Sequence, residues 1–493
     1  VTPEAGAETA GEAAAQRSPA GPGQAIAAGG LWSAQRRALT IGLVLTITFI
    51  ASEALAVVTI MPVVAHDLGG LSLYGWVFSA FMLGSVVGIV AAGRQADRHG
   101  PARPFLGGLA LFGTGLATAG LAPTMLVLIG GRCLQGIGAG AVPAVAYVAI
   151  GRSLPEGLRA RMMAVLSTAW VVPGLAGPAV SAAVAGLFGW RWVFLGLLPL
   201  VAVTGSLALP ALFRLGKQPR VGGRAVDEAD TEHRFTDGLA AAAGAGLVLA
   251  GLTLAAGSGQ VLAGIGVLGL GIGIVVPSLR RLLPAGTFTA RPGLSAVILC
   301  RGLLTFTFFG ADAYVTLTIT TVRHHTPALA GVAVTGATLA WTAGAWLQSR
   351  LSGRWEARRL VGCGLGIIVI GLAAMALVLL PATPVDVGLV AWTVAGFGIG
   401  LAYAPISLLM LREAPFGREG WASASLSLAD VLGTALGIGI GGAAVAAAAA
   451  HGWPLAAGVG IAFAIAGVGA VALAVACRRL PLTRAVAGPA PRI

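Results

Sequence analysis

The sequence predicts an all-α membrane protein of fourteen transmembrane helices, and three observations carry that prediction. Of the 493 residues, 57% are hydrophobic and only 10% are charged, against about a quarter charged in soluble domains. The apolar runs repeatedly reach the ~20 residues that, at about 1.5 Å per residue, cross a hydrocarbon layer of about 30 Å. The basic residues, finally, fall almost entirely on one side of the layer those runs define.

Six apolar runs lie near residues 39–64, 74–92, 104–121, 124–150, 162–187 and 191–213. The stretch that follows, with Lys217, Arg220, Arg224, Asp227, Glu228, Asp230, Glu232 and Arg234, is too polar to lie in a membrane. Eight more runs lie near 238–257, 261–279, 293–322, 328–349, 360–380, 385–411, 421–447 and 453–477. The organisation is then a disordered cytoplasmic tail (1–35), an N-terminal six-helix bundle (36–213) and a cytoplasmic linker (214–237). Two inserted helices (238–283), a C-terminal six-helix bundle (284–480) and a cytoplasmic tail (481–493) complete it.

Lys and Arg in short loops are retained in the cytoplasm. With the N-terminus inside, 27 of the 31 basic residues fall on inner segments, the outer loops hold only Arg191 and Arg323, and Arg132 and Arg301 lie within spans. A miscounted helix would swap the sides of every later loop, so the bias supports both the count and cytoplasmic termini. The formal charge of +13 is thereby explained by topology, and nucleic acid is excluded as a partner. The cysteines Cys133, Cys300, Cys363 and Cys477 sit in apolar runs without CxxC spacing or a neighbouring histidine, which excludes a disulfide framework and a metal site. The first 35 residues lack the pattern of a secretory signal.

Between the second and third spans lies Gly93-Arg94-Gln95-Ala96-Asp97-Arg98-His99-Gly100-Pro101-Ala102-Arg103. It resembles the G-x-x-x-D-R-x-G-R-[KR] signature of major facilitator transporters, with Pro101 and Ala102 displacing the later basic residue to Arg103. Gly93 would let two helix ends approach, and Asp97 would accept hydrogen bonds at a helix N-terminus. The resemblance implies a latch on the outward-facing state, formed by Gly93, Asp97, Arg98, Gly100 and Arg103 against the helix that begins near Gly420 to Ser425. A plain solvated turn is the other reading.

The fourth span carries Arg132-Cys133-Leu134-Gln135-Gly136-Ile137-Gly138-Ala139, which resembles the R-x-x-Q-G-x-G-A motif of proton-driven members. An unpaired arginine inside a span costs several kcal/mol. Glu53, at similar depth in the first span, is its expected partner, directly or through water; otherwise Arg132 bonds only backbone carbonyls and Glu53 serves elsewhere. In the fifth span, Pro173, Gly174, Gly177 and Pro178 resemble the core of the G-x-x-x-G-P-x-x-G-G antiporter motif, although Ser181 and Ala182 replace its last glycines. A hinge or seal is implied, with ordinary helix packing the alternative. Gly189-Trp190-Arg191-Trp192 also resembles the family's entry to its sixth helix.

An internal echo sets Arg350 to Arg359 under Arg94 to Arg103, with Arg354 beneath Arg98 and Gly353 in place of Asp97. Across residues 36–480, the chain resembles the fourteen-helix drug/proton antiporters of the major facilitator superfamily. The fold implied is two six-helix bundles, related as parallel pseudo-repeats, plus two extra central helices.

Ion-driven transport needs a group whose protonation follows the state of the passage, and carboxylates within spans are the natural candidates. Glu53, Asp312 and Asp430 qualify, in that order, with Arg132 as the partner cation. A structural carboxylate satisfied by Ser, Thr or Tyr neighbours, such as Ser427 or Thr434 one turn from Asp430, is the other reading. Arg301 and Asp312 are eleven residues apart and share a face, but lie about 16 Å apart along the axis, too far to pair. Glu53, Arg301, Asp312, Tyr147, Tyr314, Tyr403 and Trp341, with Trp346, are the candidate lining of a substrate cavity; for the aromatic residues, helix packing is an equal reading. His324 and His325 read as a solvated outer turn.

No phosphate-cradling G-x-x-x-x-G-K-[ST] segment is present: the one lysine, Lys217, precedes Gln218. The energy source is then an ion gradient or the substrate's own gradient, and the resemblance implies a proton gradient with no cofactor. The chain is expected to be no enzyme but a proton-coupled exporter of hydrophobic or amphipathic small molecules, drugs among them, working by alternating access. It would be a multi-pass monomer of the cell membrane whose partners are substrate, protons and lipids. Export or flipping of lipids is the alternative, and a proton/nutrient symporter a lesser one.

Overall fold

The structure, a computed structural model, describes residues 30–33, 36–154, 171–216, 228–257, 260–352, 354–415 and 418–481, with isolated positions between 155 and 170. The expected tails, apart from a few residues, and linker residues 217–227 lie outside the described residues.

Among the described residues the chain forms long helices and no strand. The first six are α1 (Arg37–Leu68), α2 (Tyr74–His99), α3 (Ala102–Gly120), α4 (Met125–Ser153), α5 (Val171–Phe188) and α6 (Leu198–Gly216), the last preceded by a short helix, Arg191–Leu195. The middle pair is α7 (Glu228–Ala256) and α8 (Val261–Leu282). The final six are α9 (Leu294–Leu317), α10 (Pro327–Leu351), α11 (Ala357–Leu377), α12 (Asp386–Glu413), α13 (Glu419–Ala450) and α14 (Leu455–Cys477). Twelve of these helices are long and apolar enough to cross a membrane. The two that fall short among the described residues are α3, diluted by Arg103, Pro104 and five glycines, and α5, whose described part is only 18 residues long. Large apolar side chains such as Leu262 and Val468 point outward, 86% and 70% exposed, as a lipid-facing surface requires. Within the stretch expected as the cytoplasmic linker, α6 continues to Gly216 and α7 starts at Glu228.

Glycine decides how closely the helices pack. In α4, Gly136 and Gly140 lie against the carbonyls of Phe81 and Ser85 on α2, while Gly138 lies against the Gly108 carbonyl on α3. In α12, Gly396 and Gly400 lie against the carbonyls of Ala337 and Trp341 on α10, and Gly398 against that of Gly364 on α11. A side chain at any of these six would collide with backbone. The two sets match helix for helix, so α2, α3 and α4 are repeated as α10, α11 and α12, in the register that already set Arg98 over Arg354.

The side of the bundle with the arginine-rich loops is called the inner side below. The halves meet toward the other, outer side. Tyr74 on α2 donates to the Ala313 carbonyl on α9 at 3.0 Å, Thr316 on α9 to the Val58 carbonyl on α1 at 2.9 Å, and Ser79 on α2 to the Ala435 carbonyl on α13 at 3.0 Å. Helix α5 meets α10 where Gly174 faces Thr338 and Pro178 faces Gly331, so the expected motif does form a contact between halves. The middle pair packs beside α2 and α13: Trp76 Nε1 donates to Thr253 Oγ1 at 3.1 Å, and Ser425 on α13 donates to the Leu282 carbonyl at 3.4 Å.

The packing makes one prediction. Gly136→Ala should destabilise the purified protein by about 1–3 kcal/mol through overpacking, whereas Gly130→Ala, which meets nothing within 4 Å, should stay within about 0.5 kcal/mol of the parent. Equal melting temperatures for the two variants would contradict the glycine seam.

Candidate functional site

Helix α1 places Glu53 in mid-span, and α4 places Arg132 two turns from its outer end, where Thr124 caps the helix by accepting from the Val127 amide. The two side chains meet. Arg132 Nη1 donates to Glu53 Oε1, and both groups are almost completely buried. The guanidinium has further partners: Nη1 donates to Gln135 Oε1 at 2.8 Å, Nε donates to the Val77 carbonyl at 3.3 Å, and its carbon lies 4.3 Å from the centroid of the Phe81 ring. The expected pairing is therefore direct, and the alternative in which only carbonyls hold Arg132 is set aside.

In the second half Arg301 on α9 forms an ion pair with Asp430 on α13, Nε to Oδ1, at 3.7 Å. Arg301 also donates to Ser407 Oγ and stacks 3.5 Å from the Tyr403 ring centroid. Tyr403 in turn donates to Asp430 Oδ2 at 3.0 Å. Thr434 donates to the Asp430 backbone carbonyl and not to its carboxylate, so the hydroxyl that satisfies the Asp430 carboxylate is that of Tyr403.

Asp312 stands apart from Arg301, as its spacing required. It accepts a hydrogen bond from Trp392 Nε1 at 2.7 Å, and among the described residues no cation pairs with it. A chain of aromatic rings extends from Trp392: Phe308 stacks on it at 5.2 Å between centroids, and Phe308, Phe309, Trp341 and Tyr403 continue the contact chain. Asp312, Phe309, Trp341 and Tyr403 are half-buried, whereas Trp392 and Phe308 are buried behind them.

Every buried side-chain nitrogen or oxygen without a hydrogen bond among the described residues belongs to two of these clusters. They are Glu53 Oε2 and Gln135 Nε2 in the first half, and Arg301 Nε and Nη1 with Asp430 Oδ1 in the second. In a well-packed interior such atoms are rare; here they gather at the ionisable groups of both halves.

Other expectations are corrected. Tyr314 lines no cavity: it is wholly buried and donates to the Ile438 carbonyl on α13, its ring 5.9 Å from that of Tyr74 in the outer contact. Trp346 faces outward, 68% exposed. Among the described residues Gly93 meets nothing within 4 Å, so no described helix end approaches it. Gly100 instead has a turn role, with a φ of 81° that favours glycine. Arg103 is exposed at the start of α3, while the side chains of Asp97, Arg98 and Tyr147 lie outside the described residues. Charge-based reading missed Trp392, although it stands four residues before Gly396 as Arg132 stands four before Gly136.

A sequence profile described as Major Facilitator Superfamily matches residues 39–235. Among curated proteins, a probable multidrug-efflux transporter of Mycobacterium tuberculosis (strain ATCC 25618 / H37Rv) is 27% identical over 394 residues, 78% of this chain and 83% of its own. Among solved structures, a D-xylose-proton symporter aligns with a TM-score of 0.61 at 15% identity, covering 91% of this chain and 99% of its own. An auto-inhibited POT family peptide transporter aligns with a TM-score of 0.62 at 17% identity, with the same coverages.

The geometry predicts a strong coupling between the first pair. Arg132→Gln alone strands a buried carboxylate and should cost about 3–5 kcal/mol. Adding Glu53→Gln should recover part of that loss, and a double-mutant cycle on melting should read a coupling of about 0.5–3 kcal/mol. Strict additivity would mean the pair does not interact.

Proposed function

We propose that the chain is a major facilitator transporter, a proton-coupled exporter of hydrophobic and amphipathic small molecules, drugs among them, working by alternating access; the profile match over residues 39–235 and the fold shared with the aligned transporters support that reading. The observation that carries the proposal is the buried Glu53 and Arg132 pair with Glu53 Oε2 left without a hydrogen bond. With both groups charged the pair is neutral. A proton on Glu53 removes the counter-charge, yet Arg132 keeps Gln135, the Val77 carbonyl and the Phe81 ring, so both protonation states have support. A group stable in two states is what coupling to a gradient requires.

Alternating access is supported by the way the halves meet. The named outer contacts are single side chains donating to backbone carbonyls, each worth about 1 kcal/mol net, which rocking of one half against the other can break and remake. In the cycle we propose, a proton arriving from outside neutralises Glu53, the halves rock, and cargo binding on the inner side accompanies release of the proton there. The relative named for multidrug efflux supports a drug-like cargo, and the half-buried rings Phe309, Trp341 and Tyr403 suit flat apolar molecules. The reading includes fourteen crossings with both termini in the cytoplasm, a cell-membrane location, no cofactor and a monomer working alone.

In proteoliposomes with an imposed pH gradient, the parent protein should concentrate a cationic dye, and Glu53→Gln should reduce that accumulation at least tenfold while leaving downhill dye exchange intact. Dye accumulation by Glu53→Gln equal to the parent's would overturn the assignment of the proton to Glu53.

A further inference from the structure

The three carboxylates of the site are matched by only two arginines, Arg132 and Arg301, and both are taken. Arg132 pairs with Glu53 and Arg301 with Asp430, so the unmatched charge falls on Asp312.

The internal repeat shows why. Setting α4 over α12 by their glycines puts Gly136, Gly138 and Gly140 over Gly396, Gly398 and Gly400, and each pair meets corresponding carbonyls on corresponding helices. The same alignment puts Arg132 over Trp392. On the partner helices, Ser52-Glu53-Ala54-Leu55 lies over Ala311-Asp312-Ala313-Tyr314. In that register Thr59, which donates to the Leu55 carbonyl at 2.9 Å, falls over Thr318, which donates to the Tyr314 carbonyl at 2.8 Å. Glu53 held by Arg132 in the first half thus becomes Asp312 held by Trp392 in the second. The acid is kept, and its cation is replaced by a neutral N–H donor.

We infer that Asp312 and Trp392 form a second exchange site, the internal counterpart of the Glu53 and Arg132 pair, which binds a single positive charge: a proton, or the cationic group of an aromatic amphipath. Trp392 is its positioning residue. The indole N–H fixes one carboxylate oxygen without neutralising it, and a half-buried carboxylate with no fixed counter-ion favours a proton or a bound cation. Tyr403 has its face covered by Arg301, which leaves the half-buried rings of Phe309 and Trp341 to contact an organic cation. The other titratable groups on helices packed against α9 are engaged elsewhere or distant. Glu53 on α1 holds Arg132, Asp430 on α13 and Tyr403 on α12 hold Arg301 and each other, and Tyr74 on α2 donates to the Ala313 carbonyl. Arg350 on α10 lies near that helix's inner end, and Cys477 ends α14.

This inference deepens the exporter reading and rests on it only in treating the cation as cargo, so its test is a binding measurement. The purified full chain is titrated with tetraphenylphosphonium, and with uncharged triphenylphosphine oxide as control, while proton release is followed with a pH indicator. The parent protein should bind tetraphenylphosphonium more weakly as pH falls and release protons as it binds. Asp312→Asn should weaken that binding at least tenfold and abolish the proton release, with triphenylphosphine oxide affinity unchanged as the check on folding. Trp392→Arg, which restores the first half's cation, should match Asp312→Asn, whereas Trp392→Phe should weaken binding severalfold and keep the proton release. Tetraphenylphosphonium binding and proton release by Asp312→Asn or Trp392→Arg within twofold of the parent would overturn the inference. Loss of the proton release in Glu53→Gln with its retention in Asp312→Asn would also overturn it, while the exporter reading is decided separately by Glu53→Gln in transport.

Discussion

A charge inside a lipid-embedded bundle has no water to turn to, so it is tolerated only where the protein supplies a counter-charge, hydrogen bonds or access to a polar passage. That constraint organises the site. Arg132 is held by a carboxylate, an amide oxygen, a backbone carbonyl and an aromatic face at once. Arg301 has a carboxylate, a hydroxyl and a ring. Service is incomplete on both signs of charge: Glu53 and Asp430 each keep an oxygen without a hydrogen bond, and Arg301 keeps Nε and Nη1.

The fold makes those placements possible. Because α4 and α12 carry glycines on two faces, each can lie between two neighbours at backbone distance, and side chains on the remaining face are held in place toward the middle of the bundle. Small residues are the usual means of close packing where lipid removes the hydrophobic drive for helices to associate. Duplication of the unit gives two similar acid-bearing sites on opposite halves, and divergence at one position, Arg132 against Trp392, makes them electrostatically different. The middle pair α7 and α8 flanks α2 and α13 and contributes none of the ionisable groups of the site.

Much of this was legible in the sequence, for identifiable reasons. Helix order followed from apolar runs, and the Glu53 and Arg132 contact followed from two charges at similar depth that lipid would not tolerate apart. The partner of Arg301 was not legible, because it sits on α13, far along the chain, and depth alone does not say which helices touch. Trp392 escaped because an uncharged indole gives no electrostatic signal; only the repeated glycine spacing marks it. Tyr314 was misplaced because a tyrosine in a span reads alike whether it lines a passage or seals one, and the outer seal is built from backbone carbonyls, which no sequence pattern reveals. For Gly93, a signature glycine suggested a close approach, whereas its surroundings here are open.

The most direct measurement of the central claim is an experimental density map of the protein in a lipid nanodisc, at a resolution that shows ordered water. The account predicts water within hydrogen-bonding distance of Glu53, Asp312 and Asp430, in a passage between the halves that connects to one side of the membrane. Dry apolar packing around all three carboxylates, or their exposure to acyl chains away from any such passage, would contradict it.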